Sequence, residues 1–122
     1  MLGTMQLQET VVGDVTVVTI IGEITLAREG DVALRDKFVE LLNLGRRKLV
    51  INLAGVTYVD SAGLGQLVQV QTKATGSGAR VKVASPGARL LTLLRIAKLL
   101  PLFDIAESEA AAIESLNETN MS

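Results

Sequence analysis

The hydrophobic pattern at the start of the chain indicates a hairpin followed by a helix. Residues 5–12 predict a strand, and the β-branched run 15–21 predicts a second one. Gly13-Asp14 between them is typical of a tight turn, so the two strands should form a hairpin. The period becomes helical over about 31–44, with a stop near Gly45. The apolar face of this predicted helix consists of Leu34, Phe38, Leu41 and Leu42.

The middle of the chain combines a buried strand with a second amphipathic helix. Leu49–Leu53 is a continuous apolar run, which predicts a central strand covered on both faces. The chain continues through Tyr58-Val59 to Asp60, where a helix is predicted to begin. Gly76-Ser77-Gly78 is its predicted end. The inner side of this helix is expected to carry Leu64, Leu67, Val68 and Ala74.

The last third of the chain continues the alternation of strands and helices. Residues 80–84 predict a strand, and Ser85-Pro86-Gly87 predicts a helix start with a capping hydroxyl and a proline near the first helical position. Pro101 is expected to end that helix. A short strand over 102–106 and a helix over about 109–116 follow. The apolar stripe of the helix before Pro101 consists of Leu90, Leu93, Leu94 and Ala97.

Strands that alternate with helices after a hairpin predict the α/β class, with a mixed, mostly parallel sheet and helices packed on it. The chain has 122 residues, of which 48% are hydrophobic, and this is enough apolar surface for one core. We therefore expect a single domain over 1–122, with its core in about 5–116 and a frayed tail over 117–122. The aromatic residues expected in the core are Phe38, Tyr58 and Phe103.

Composition excludes several classes of function. The chain has no cysteine and no histidine, which excludes disulfides, thiolate or histidine metal sites and a Ser-His-Asp triad. A net charge of −1 and three aromatic residues argue against direct nucleic-acid binding. No run approaches the ~18 apolar residues of a membrane span, and no basic residue precedes Arg28 as in a signal peptide. We expect a cytoplasmic protein without membrane insertion, metal or cofactor.

Basic and acidic residues are unevenly distributed in the second half of the chain. Residues 61–103 include six basic residues and no acidic one, whereas residues 104–122 include five acidic residues and no basic one. These groups can be interpreted as solvated faces that balance one another. Alternatively, the basic residues of 61–103 could form a neighbourhood that helps to receive an acidic partner or a phosphate.

The turn after Val59 is the strongest candidate for a functional site. Ser61 is expected at the N-terminus of a helix, where free backbone N–H groups and a partial positive charge favour an anion such as a phosphate on the serine. Ordinary helix capping by Asp60 and Ser61 is the alternative interpretation. Small residues follow at Ala62 and Gly63. Because Leu64 or Gly65 is also expected to be exposed, the turn should let another protein's active site reach the Ser61 hydroxyl.

The order of elements and three short motifs resemble the STAS domain of bacterial anti-sigma factor antagonists. The most specific motif is Tyr58-Val59-Asp60-Ser61-Ala62-Gly63-Leu64-Gly65. Gly22-Glu23-Ile24 at the end of the second strand and the Ser85-Pro86 helix start support it. The resemblance extends from about Met5 to Leu116.

The resemblance implies a mechanism of partner switching. In that family, the unphosphorylated antagonist binds an anti-sigma factor that is also a serine kinase, and the sigma factor is released. The kinase then phosphorylates the serine that corresponds to Ser61, the complex separates, and a serine phosphatase restores the first state. The chain would be a phosphoprotein that regulates transcription without being an enzyme. We expect a monomer or a weak homodimer.

One position departs from the family pattern. The family often has an aspartate in the loop after the second strand, where this chain has Thr25. This loop and the Ser61 turn are expected at neighbouring strand ends, so Thr25 and Leu26 should border the docking surface. The other residues expected to bind the partner are Asp60, Ala62, Gly63 and Leu64.

Other classes of function remain as alternatives. A structural or sensory STAS subunit, in a signalling scaffold or on a lipid-transport permease, would use Ser61 only as a helix cap. A small-molecule module would bind an anion or nucleotide at the same helix end. An intrinsic enzyme is the least expected, because carboxylates and serines alone form no recognisable catalytic constellation.

Overall fold

The computed structural model describes residues 5–25 and 30–117, and describes the side chains of all of these except residues 30–32. These described residues form five strands and four helices, with one 3₁₀ turn before the last strand. In order they are β1 (Met5–Val12), β2 (Val15–Ile24), α1 (Gly30–Asn43), β3 (Lys48–Val59), α2 (Ser61–Gly76), β4 (Arg80–Ala84), α3 (Ala88–Ile96), the 3₁₀ turn (Leu100–Leu102), β5 (Asp104–Ala106) and α4 (Glu109–Asn117).

The five strands form one mixed sheet in the order β1-β2-β3-β4-β5. β1 and β2 are antiparallel and are joined by the predicted tight turn, in which Gly13 has a φ of 63° that suits glycine. The other neighbouring strands are parallel. The α/β class with a mixed, mostly parallel sheet is therefore confirmed.

Helices cover both faces of the sheet. Alternate residues of a strand point to opposite faces, and the buried residues of β2 divide accordingly between two clusters. Val18 and Ile20 pack with α1, α2 and α3, whereas Val15 and Val17 pack with α4. The central strand is likewise covered on both sides, as its continuous apolar run predicts. In the described part of the chain, no helix is long and apolar enough to cross a membrane.

β3 is longer than the apolar run that predicts it, and its C-terminal part overhangs β4: it extends past the end of that strand while it stays paired with β2. It pairs with β4 only as far as Asn52, but it pairs with β2 as far as Val59. The register between β2 and β3 shifts twice, and Gly22 with a φ of 106° lies at the second shift. The segment 53–59 therefore extends beyond β4 along β2 and leads into α2.

The register shifts explain why the prediction for Tyr58 is wrong. Phe38 and Phe103 are buried as expected, but Tyr58 is 44% exposed. Val56 and Val59 both pack against the core, so two residues lie between successive inward-facing positions instead of one. This extra residue turns Tyr58 toward solvent.

The predicted start of α3 is also wrong. The helix begins at Ala88, its cap is Gly87, and no side chain in the described part of the chain caps it. Ser85 is instead bound to the end of β5: its N–H donates to Ala106 O at 3.0 Å and its hydroxyl donates to Glu107 O at 3.2 Å. Ser85 has a φ of 56°, so the chain bends away before the helix begins.

The end of α3 differs from the prediction as well. The helix ends at Ile96, where Lys98 has a φ of 62° and the Leu99 N–H donates to Leu94 O at 2.8 Å, as in a common helix termination motif. Pro101 lies later, in the 3₁₀ turn, and β5 is correspondingly shorter than predicted. Of the predicted stripe, Leu90 and Leu94 are buried, whereas Leu93 and Ala97 are exposed.

The ion pair between the hairpin turn and the start of β3 makes a pH dependence testable. Asp14 Oδ2 lies 3.0 Å from Lys48 Nζ, and this hydrogen bond lowers the pKa of Asp14 from its ordinary 3.8. A pKa that is lower in the folded state stabilises the fold above the unfolded value and loses that effect as the pH falls through the folded value. Asp14→Asn should therefore lower the urea midpoint slightly at neutral pH, and the difference from wild type should shrink below pH 3.8.

Glu114→Gln is the matched control, because it removes an exposed carboxylate that has no ion pair among the described residues. A difference between Asp14→Asn and wild type that stays the same at every pH would contradict the prediction.

Candidate functional site

The turn between β3 and α2 is fastened to the end of β2. Val59 pairs with Ile24, and the Asp60 N–H donates to Ile24 O at 3.3 Å. Asp60 has an extended backbone and is the N-cap of α2: its Oδ1 accepts the Gly63 N–H at 2.7 Å. Its carbonyl oxygen accepts the Leu64 N–H at 2.8 Å. Asp60 therefore fixes the point at which the helix begins.

Gly63 allows α2 to begin this close to β2. It is buried, and a Cβ at this position would overlap the carbonyl oxygen of Ile24 and lie 2.6 Å from the carbonyl carbon. A side chain would force the helix away from the strand. The expectation that Gly63 opens space for a partner is therefore wrong, because its lack of a side chain serves packing within the domain.

Leu64 is a core residue and not a surface residue. Its side chain is 8% exposed and belongs to the same cluster as Leu67. With Gly63 against β2, the helical period turns Leu64 and Leu67 inward and leaves Gly65 exposed. The expectation that Leu64 contacts a partner is corrected accordingly.

Ser61 is exposed at the first position of α2, and Ala62 beside it is half-buried. Within residues 5–25 and 30–117, the backbone N–H groups of Ser61 and Ala62 have no hydrogen-bond acceptor. α2 has 16 residues and no acidic residue in its first turn. The hydroxyl therefore lies beside two free N–H donors at the positive end of a long helix, an arrangement that favours an anion.

The loop after β2 adjoins this turn, as the sequence predicts. Thr25 is half-buried, and its carbonyl oxygen is 3.5 Å from Gln66 Nε2 of α2. Leu26 lies outside the described residues, so the structure says nothing of its expected place on the docking surface. Thr25 thus borders the turn through its backbone.

Gln66 is a buried polar residue that the sequence pattern did not single out. Its side chain is 7% exposed, and its Oε1 has no partner among the described residues. A polar group in this condition is uncommon in a protein interior. Its spacing could have indicated that it is buried, since position 66 follows Gly63 by about one helical turn and precedes the buried Leu67.

The basic residues of 61–103 do not form one patch around Ser61. Lys73 lies in the last turn of α2, and Arg80 pairs with Lys48 at the opposite end of β3. Lys82 is bound to Asp104, with Nζ and Oδ2 2.8 Å apart. Arg89, in contrast, lines a groove that is also lined by Val59.

The family model of the STAS domain matches residues 6–112. This chain belongs to the STAS family. The overhanging β3, the Asp60 cap and the Ser61 turn are therefore features of a STAS domain. No curated protein matches the sequence.

Solved structures share the fold over nearly the whole chain. A Thermotoga maritima protein proposed to be an anti-sigma factor antagonist is 24% identical, with a TM-score of 0.82 over 91% of this chain and 94% of its own. An anti-sigma factor antagonist from Mycobacterium paratuberculosis is 20% identical, with a TM-score of 0.80 over 93% and 95%.

The phosphorylated form of the Bacillus cell fate determinant SpoIIAA is 19% identical, with a TM-score of 0.69 over 93% of this chain and 99% of its own. At these sequence identities, the structural similarity establishes a common fold.

Gly63 and Gly65, near the start of α2, give a matched pair of variants. Gly63→Ala should destabilise the fold by about 2–3 kcal/mol, because its Cβ would overlap the backbone of Ile24. Gly65→Ala should instead stabilise it by about 0.5–1 kcal/mol, because the site is open and alanine favours a helix. Urea unfolding followed by circular dichroism measures both values, and equal effects would refute the packing role of Gly63.

The cap predicts a second pair of variants. Asp60→Ala should lower the free energy of unfolding by about 1 kcal/mol, because the Gly63 N–H loses its acceptor. Asp60→Asn keeps a capping oxygen and should cost only a few tenths of a kcal/mol. If both variants lose the same stability in urea unfolding, the charge of Asp60 and not its capping bond stabilises the turn.

Proposed function

We propose that this STAS protein is an anti-sigma factor antagonist that changes partners when Ser61 is phosphorylated. The observation that carries the proposal is the exposed Ser61 at the start of α2, beside two backbone N–H groups that have no acceptor among the described residues. The anti-sigma factor antagonists among its structural neighbours support it, as does a neighbour that was solved in a phosphorylated form.

In the proposed cycle, unphosphorylated protein binds an anti-sigma factor that is also a serine kinase, and the sigma factor is set free. The Ser61 oxygen attacks the γ-phosphorus of the kinase's ATP, the bond from that phosphorus to the β–γ bridging oxygen breaks, and ADP leaves. A base on the kinase takes the hydroxyl proton. A serine phosphatase later hydrolyses the phosphoserine. The STAS domain is the substrate and supplies no catalytic group.

The position of Ser61 separates the effect on the partner from the effect on the fold. A phosphate adds about −1.5 to −2 charges. The helix N-terminus tolerates these charges, since a negative charge there is stabilised by about 0.3–1 kcal/mol. The exposed hydroxyl is not part of the core, so the phosphate displaces no packed group. Phosphorylation should leave the domain folded.

The same charge should separate the complex. The phosphate adds to the negative charge already carried by Asp60 at the same turn. Burying such a group in an interface without a matching cation costs several kcal/mol. A cost of ~3 kcal/mol already weakens binding about a hundredfold. Phosphorylation is therefore proposed as the release signal.

The described residues of the proposed docking surface lie around Ser61 and remain accessible. Asp60, Ala62 and Thr25 are half-buried around the exposed serine, and Leu26 follows Thr25 in the chain. Thr25 offers a hydroxyl where the family often has a carboxylate, so this position adds no charge to the surface. We further propose that the protein acts as a single STAS domain in the cytoplasm, as a monomer or weak homodimer.

Charge variants of Ser61 test the proposal. Immobilised wild-type protein should retain a kinase-type anti-sigma factor from lysate of the native organism, and mass spectrometry should identify it. Ser61→Asp should lose this partner, because the new charge lies in the interface. Ser61→Ala should retain it. Ser77→Asp is the matched control, since it places the same charge at the exposed far end of α2 and should not affect binding.

A phosphorylation assay completes the test. The retained kinase and ATP should add one phosphate to wild type and none to Ser61→Ala. Retention of a permease or scaffold subunit equally by wild type and Ser61→Asp would contradict the switch. Ser61 would then be only part of a helix start in a structural STAS subunit.

A further inference from the structure

A groove next to the Ser61 turn has no occupant within the described residues. It lies between the overhanging part of β3 and the first half of α3, and we call it the β3–α3 groove. Leu53, Val56 and Tyr58 line it on the strand side, and Arg89, Leu90 and Leu93 line it on the helix side.

The strand side of the groove is an unpaired sheet edge. β4 stops pairing at Asn52, and no hydrogen bond among the described residues joins 53–59 to α3. The Ala54 N–H donates to the Asn52 side chain at 2.9 Å, so the edge open to a new strand is Gly55–Val59. An unpaired edge of this kind is a template for an extended segment of another chain.

The walls of the groove expose apolar side chains. Tyr58 is 44% exposed on the strand, and Leu93 is 36% exposed on the helix. Arg89, Leu93 and Ile96 follow a spacing of four and three residues, so they form one row along α3. Ile96, which is 72% exposed, continues the apolar surface beyond the groove. Exposed apolar residues that are contiguous in this way mark binding surfaces.

The charge of the groove indicates what it binds. Arg89 forms no ion pair with any residue that the structure describes, and residues 61–103 contain no acidic residue at all. An occupant with a carboxylate would therefore meet an unpaired guanidinium, which favours bidentate contact with a carboxylate. A second copy of this chain would bring no such group through the same edge, since 53–59 has no acidic residue.

We propose that the β3–α3 groove binds an extended, acidic and apolar segment of a partner protein. The segment pairs with the backbone of Gly55–Val59, places an apolar side chain between Tyr58 and Leu93, and places a carboxylate against Arg89. This binding goes beyond the proposed switch and does not require phosphorylation of Ser61. A segment bound in the β3–α3 groove would also lie beside the C-terminal end of β3, directly before the Ser61 turn.

Selection from random peptides tests the proposal and requires no identified partner. Peptides long enough to span Gly55–Val59 are displayed on phage, selected on the wild-type protein and then synthesised. The selected peptides should carry a carboxylate among alternating apolar residues. Arg89→Glu should weaken their binding in calorimetry by about tenfold or more, because attraction becomes repulsion. Lys73→Glu is the matched control at an exposed position on α2 and should leave binding unchanged.

Hydrogen exchange then locates the bound peptide. The amides of Gly55–Val59 should become protected on binding. Ser61→Asp should still bind the peptide, so that failure of the groove and failure of the phosphorylation switch give different results. Circular dichroism checks that Arg89→Glu is folded, as expected for an exposed residue.

Several outcomes would overturn the proposal. These are the absence of any selected peptide, binding that does not depend on Arg89, or protection elsewhere on the domain. Binding of wild type to anionic lipid vesicles that Arg89→Glu abolishes would assign this surface to a membrane. A concentration-dependent dimer in sedimentation that Arg89→Glu abolishes would assign it to a second copy of the chain.

Discussion

The close approach of Gly63 to the carbonyl group of Ile24 is the constraint on which the candidate site depends. Because no side chain separates them, α2 begins directly against the end of β2, and Asp60 can bond to both the strand and the helix. This contact sets the phase of α2, which turns Leu64 and Leu67 into the core and leaves Ser61 exposed. The serine is thus presented by a rigid junction and not by a mobile loop.

Most of the architecture follows from local signals that the sequence carries. The hairpin glycine, the helical period of α1 and the continuous apolar run of β3 all correspond to elements of the structure. The start of α2 at Asp60 is equally local, since a capping carboxylate before an apolar period predicts it. These signals were sufficient for the fold class and for the place of the candidate site.

The errors arise where tertiary contacts override a local signal. Ser85 and Pro86 have the residue types of a helix start, but bonds from Ser85 to the end of β5 hold it outside the helix. Tyr58 is apolar in pattern, yet a shift of register against β2 turns it outward. The burial of Gly63 is of the same kind, since only the position of Ile24 reveals why glycine is needed there. The periodicity of a single sequence does not reveal these contacts, because they join residues that are far apart in the chain.

The strand ladders differ in length, so resistance to local opening should differ between the two sides of the sheet. β2 and β3 pair from Val15–Lys48 to Ile24–Val59, whereas β4 and β5 pair only over Lys82–Ala84. β5 has three residues and none of them is buried, and segments with few buried contacts open at low free energy, so thermal opening should start at this edge strand. The Ser61 junction lies on the long ladder. It would therefore keep its shape during fluctuations that expose the opposite edge to proteases or to water.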